Sequence, residues 1–168
     1  KLLTDGKGVV SSTGLRALLL RGEVARAVDM LGHPYLIVAS RVAGRGVGRQ
    51  LGYPTLNFAR PASRKVLPPP GVYAAHLQHG RRMLPAALYF GTCPTFESRE
   101  AHFEVHLLSG GDEVPQQVDT GYLWLSRFVR PDVAFSGGEE LTEHIRKDIA
   151  SIKENIGEEK QDAPNEGA

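Results

Sequence analysis

The chain has 168 residues, 41% hydrophobic and 23% charged, a composition that suits one folded domain of ordinary size with room for a short appendage. A formal net charge of +1 gives no global pull toward nucleic acid or an anionic membrane, and no apolar run approaches the roughly 20 residues of a membrane span. Cys93 is the one cysteine, which excludes an internal disulfide and a multi-cysteine metal site; with no secretory leader before the first structured segment, a reducing, cytoplasmic setting is expected.

Charge is uneven along the chain. From Arg41 to Lys65 there are six basic residues and no acidic one, so this stretch can attract an anion. The chain opens on Lys1, and a fragment of a longer protein is expected. Residues 11–31 read as two short helices, the first capped by Ser11, Ser12 or Thr13 and carrying Leu15, Leu18 and Leu19 at helical spacing. Gly22 separates it from a second with Val24, Ala27, Val28 and Leu31, and Gly32-His33-Pro34 ends the helical part. A domain boundary is expected there, giving a helical segment 1–33, a main domain 34–157 and a disordered, acidic and polar tail 158–168.

After Pro34 the chain reads as strands separated by turns: 35–42, 71–78, 82–91, 101–109 and 117–129, each rich in β-branched or aromatic residues. Gln78-His79-Gly80-Arg81 predicts a hairpin. Strands without intervening helices imply an antiparallel sheet or small barrel. A final helix begins at Ser136 with an apolar stripe of Leu141, Ile145, Ile149, Ile152 and Ile156, and Gly157 is expected to stop it.

Between the first two strands lies "GRGVGRQLGYPTLNF", residues 44–58. Gly44, Gly46 and Gly48 have neither the P-loop spacing nor that of a dinucleotide fingerprint, and Gly52 and Pro54 are expected to forbid a following helix. Backbone N–H groups of such a loop can still approach phosphate closely, with Arg45 and Arg49 adding charge. The alternative is a bland turn-rich connection. Past Pro54, Thr55 and Asn57 sit two apart in an extended segment and face the same way, offering oxygen donors of the kind Mg²⁺ accepts; they could equally satisfy local backbone groups.

"HFEVH" puts His102, Glu104 and His106 on one strand face and Phe103 and Val105 on the other. Three readings of these residues stand: a transition-metal site, a general base at Glu104 held on a strand, and a solvated polar face.

The segments "GRGVGRQLGYPTLNF", "GVYAAHL", "FGTCPTF", "FEVHLL" and "FVRPDVAFSGGEELTEHIRKDI" resemble, in order and spacing, the riboflavin kinase module of bacterial bifunctional riboflavin kinase/FAD synthetases, over about residues 34–156. Upstream, Ser11, Ser12, Thr13 and Arg16 are similar to the end of the FMN adenylyltransferase module that precedes the kinase; the rest of that module is absent, so FMN adenylylation by this chain is not expected. The resemblance implies a six-stranded antiparallel Greek-key barrel with a C-terminal helix. It further implies Mg²⁺-dependent transfer of the ATP γ-phosphate to the 5′-hydroxyl of riboflavin, giving FMN and ADP, with no nucleic-acid or membrane partner and no stated oligomeric state. On this likeness Thr55 and Asn57 fall at the Mg²⁺-ATP site and Glu104 at the catalytic base. Gly44, Arg45, Gly46, Gly48, Arg49, Gly52 and Pro54 fall on the loop that covers the nucleotide, and Arg130 and Phe135 border the flavin.

The chain departs from the family pattern in places. Leu56 stands where Ala is usual, which would bear on nucleotide fit; Cys93 replaces Asn; Glu113-Val114-Pro115 replaces Leu-Tyr-Gly in a loop expected to close on the flavin; Gly14 replaces an Arg of the adenylyltransferase signature. These departures leave a runner-up, a barrel that holds flavin or nucleotide without phosphorylating it. A barrel binding single-stranded nucleic acid fits less well, because the basic stretch has no stacking aromatics beyond Tyr53 and Phe58.

Overall fold

The computed structural model describes residues 11–61, 64–92, 101–108 and 118–159. Cys93, the Glu113–Pro115 departure and the tail from residue 160 onward lie outside the described residues.

Six strands close into an antiparallel barrel: β1 (Tyr35–Val42), β2 (Leu56–Ala59), β3 (Gly71–His79), β4 (Arg82–Gly91), β5 (His102–Leu107) and β6 (Thr120–Pro131), in the spatial order β1-β2-β5-β4-β3-β6. The expected barrel is therefore the observed one. Period-two alternation sets its inside and outside. On β1 the buried residues are Tyr35, Ile37 and Ala39; on β5 they are Phe103, Val105 and Leu107. These join Phe58, Leu77, Leu88, Leu123 and Leu125 in one core, where each large apolar side chain contributes about 1.5–3 kcal/mol by leaving water. Phe90 and Phe103 stack with ring centroids 4.6 Å apart. Gly121 makes room for the neighbouring Phe58 ring, since a Cβ there would sit 2.5 Å from it.

The hairpin forms as expected, His79 pairing with Arg82 around a turn in which Gly80 takes φ 61°. β2 is a strand that periodicity alone does not announce: four residues give too short a window for any period to register.

Two helices, α1 (Ser12–Leu20) and α2 (Val24–Leu31), precede the barrel. Ser11 is the cap, its hydroxyl accepting from the Gly14 N–H at 3.0 Å. Leu18, Leu19, Val24 and Ala27 are buried in the same core as the barrel side chains, and α2 lies against β6 and β1.

The glycine loop contains a single helical turn, α3 (Val47–Gln50), where none was expected. Gly46 starts it at φ 75°, and the Gln50 and Leu51 N–H groups bond back to the Gly46 and Val47 carbonyls. Gly52, at φ 85°, then ends it, so the helix-breaking residues act from position 52 rather than across the loop.

The last helix, α4, spans Gly138–Glu159 and passes through Gly157, which was expected to end it. A glycine inside a helix costs only about 1 kcal/mol, which makes it a weak stop by itself. Ile152 is fully buried on this helix and docks with Val72 and Ala74 of β3, Ile156 packing alongside. Among the described residues no helix is long and apolar enough to cross a membrane.

Candidate active site

The outer face of the β2–β5 pair carries the polar residues singled out above. Antiparallel register puts Asn57 directly opposite Glu104. The Thr55 hydroxyl donates to Glu104 Oε2 at 3.3 Å, and Asn57 Nδ2 lies 3.5 Å from Thr55 Oγ1. Two side chains that the sequence places on one face thus meet a third contributed 49 positions away.

Two glycines of the loop are built into this cluster. A Cβ on Gly44 would lie 2.2 Å from Asn57 Nδ2, and one on Gly48 would lie 2.4 Å from the Tyr53 carbonyl and 3.3 Å from Thr55 Oγ1. Only a residue without a side chain lets the loop backbone rest there. The loop is fixed from the other side as well: His106 Nδ1 donates to the Pro54 carbonyl at 2.9 Å, with the Tyr53 ring edge-on to the imidazole.

Beside the cluster a cleft opens, lined by Gly48, Leu51 and Tyr53 of the loop, by Thr55 and Glu104, by Tyr89 of β4, and by Arg130, Phe135, Leu141, Ile145 and Ile149 from the β6–α4 region. Of the expected site residues it brings together Gly48, Thr55, Glu104, Arg130 and Phe135. Gly44, exposed on the loop, and the buried Asn57 are not part of its lining but are in contact with each other. Gly46, Gly52, Arg45 and Arg49 are exposed on the loop, and Pro54 contributes the carbonyl that His106 holds. Leu56 points the other way, into the barrel core opposite Val105. Its replacement of Ala is therefore a matter of core packing and not of nucleotide fit.

Sequence reasoning missed three contributors. Asp148 of α4 takes both a bidentate contact from Arg130 Nε, at 3.0 Å to each carboxylate oxygen, and an Arg130 Nη2 contact at 2.9 Å. Arg130 lies over the Phe135 ring, 5.4 Å from its centroid. Tyr89 donates to Asp132 Oδ1 at 3.1 Å, an approach that Gly91 permits because a Cβ there would strike both groups. Separations of 18 and 43 residues hide such pairs from any local pattern.

Thr55 and Asn57 offer neutral oxygen donors next to a carboxylate, a donor set suited to a hard cation that keeps several waters. The transition-metal reading of the histidines does not survive. Among the described residues no group of three or more His, Cys, Asp or Glu could hold a metal ion. His102 is turned to Glu104 and His106 to a backbone carbonyl.

Comparison with known proteins supplies the context. The bifunctional riboflavin kinase/FMN adenylyltransferase of Escherichia coli (strain K12) is 34% identical over 156 residues, covering 91% of this chain and 48% of that protein. Its counterpart in Bacillus subtilis (strain 168) is 33% identical over 149 residues, covering 87% and 46%. The chain spans about half the length of the curated relatives it matches. A crystal structure described as a macrolide-efflux protein from Streptococcus pneumoniae superposes with a TM-score of 0.75 at 28% identity, over 90% of this chain and 49% of that one. The flavokinase model, that of riboflavin kinase, matches residues 31–156, which takes in the whole barrel, the Thr55–Asn57–Glu104 cluster and nearly all of α4. By that match, the chain belongs to the riboflavin kinase family.

Proposed function

We propose that this chain is a riboflavin kinase, transferring the γ-phosphate of ATP to the 5′-hydroxyl of riboflavin to give FMN and ADP, with Mg²⁺ at Thr55 and Asn57, in a cytoplasmic setting. The observation that carries this reading is the contact of Thr55 Oγ1 with Glu104 Oε2, beside Asn57 and at the edge of an apolar, aromatic-bearing cleft. Membership of the family and the likeness to bifunctional relatives support it.

Phosphoryl transfer asks a protein mainly for positioning and charge neutralisation. Glu104 accepts the proton of the attacking hydroxyl, the new P–O bond forms to the ribityl oxygen, and the bond from the γ-phosphorus to the ADP oxygen breaks. Glu104 Oε2 is the oxygen for this task, because it is the one beside Thr55, while Oε1 meets His102. Bound Mg²⁺ supplies neutralisation of phosphate charge, with Thr55 and Asn57 as its protein donors. Gly44 and Gly48 let the loop backbone lie on those two side chains, where its N–H groups would be available to bound phosphates. Phe135, Leu141, Ile145 and Ile149 offer an apolar wall to a flat aromatic ring, and Arg130 and Tyr89 add polar groups.

Incubating the chain with riboflavin and Mg²⁺-ATP and weighing the product tests the reading. FMN is expected. Riboflavin recovered unchanged, with ATP intact, would overturn it.

A further inference from the structure

Resting on the kinase reading above, we infer that His102 is a positioning residue that fixes the rotamer of Glu104 and so decides which carboxylate oxygen faces the substrate. His102 Nε2 lies 2.9 Å from Glu104 Oε1, whereas Thr55 reaches the other oxygen, Oε2. An ionised carboxylate only accepts, so Nε2 carries the hydrogen and donates it. The two oxygens are thereby made unequal. Oε1 is taken by His102, and Oε2, which meets Thr55 at a longer 3.3 Å, keeps a second lone pair for the acceptor hydroxyl.

The arrangement follows from the strand. His102 and Glu104 are two apart on β5 and project from the same outer face, and neither side chain is freely solvated, their exposures being 19% and 22%. Phe103, between them and fully buried, locks the strand against the barrel core. Glutamate has three side-chain torsions, and a carboxylate held at both oxygens, by His102 and by Thr55, has fewer orientations than one held at Oε2 alone. A base off by about 1 Å can cost on the order of 100-fold in rate. Glu104 would remain present without His102, but it would sample orientations in which neither oxygen meets the hydroxyl.

The test compares three proteins by steady-state FMN formation: the unaltered chain, His102→Gln and His102→Leu. Glutamine places an amide N–H near the position of Nε2, so it should stay within about threefold of the unaltered chain. Leucine fills the space without a donor, and its kcat should fall roughly 10- to 100-fold while KM for ATP and for riboflavin hardly moves. Should the leucine variant melt early, His102→Asn takes its place, since its shorter amide falls short of Oε1. Equal losses in the Gln and Leu variants, or parental kcat in Leu, would overturn the positioning role while leaving the kinase reading standing. An inactive unaltered chain would overturn both.

Discussion

Asn57 and Glu104 are cross-strand partners on the outside of the barrel, and the Thr55 hydroxyl bridges toward the same carboxylate at 3.3 Å. On the proposed reading, this pairing would divide the site between neutral oxygens and a base. Glu104→Gln keeps the shape and removes the proton acceptor; FMN formation is expected to drop by about 100-fold or more, with ATP affinity by calorimetry nearly unchanged. Thr55→Ala and Asn57→Ala should instead raise the Mg²⁺ concentration needed for half-maximal rate. An unchanged Mg²⁺ dependence in both would make these side chains structural.

The glycines of the loop separate into two kinds, and substitution should tell them apart. Gly44→Ala drives a Cβ into the Asn57 carboxamide, so the loop must lift; kcat/KM for ATP is expected to fall at least about tenfold. Gly46→Ala meets nothing within 4 Å and only strains a φ of +75°. It should cost about 1–2 kcal/mol of local stability and leave the kinetics closer to parental. Equal kinetic losses in the two would contradict this distinction.

Arg130 and Asp148 tie β6 to α4 beside the cleft, at exposures of 19% and 10%. Asp148→Asn keeps the volume and removes the charge, leaving the guanidinium without its ionic partner. A loss of about 1.5–3 kcal/mol is expected by urea denaturation, with faster hydrogen exchange along α4 and weaker riboflavin binding. Parental exchange in α4 would show that Ile152 and its neighbours hold the helix unaided.

The Arg146 guanidinium hydrogen-bonded to Glu143 holds that carboxyl down to about 2, with Lys147 assisting. A depressed folded-state value means the pair supports the folded state above the ordinary carboxylate range and ceases to as pH falls toward 2. Both side chains are exposed, so solvent screens the pair and the check is spectroscopic. In an NMR titration Glu143 should protonate near the low value, and Arg146→Ala should move it most of the way back toward the ordinary range, Lys147 remaining.

Much of the fold is legible in residue patterns. The alternation of β5 separates Phe103, Val105 and Leu107 from His102, Glu104 and His106, and the stripe from Leu141 to Ile156 announces α4. The end of α4 is not legible, because one glycine is a weak stop and the helix runs two residues past Gly157. Neither β2 nor the turn at Val47–Gln50 is long enough to show a period. For the site, the shared face of Thr55 and Asn57 can be read locally. Their meeting with Glu104 depends on β2 and β5 being neighbours in a closed barrel, a relation between strands far apart in sequence that only family likeness suggests. Tyr89–Asp132 and Arg130–Asp148 are beyond either kind of reading.

β5 has two faces with different duties, and they are inseparable. The side chains that anchor the barrel interior alternate, one for one, with those that do the polar work outside. A slip of a single residue would exchange Glu104 for Phe103, drowning the carboxylate among Phe58 and Phe90 and stranding an aromatic ring in the cleft. Misfolding of this strand therefore cannot yield a partly active protein. One six-residue strand thus sets both the packing of the interior, through Phe103, Val105 and Leu107, and the placement of His102, Glu104 and His106 outside.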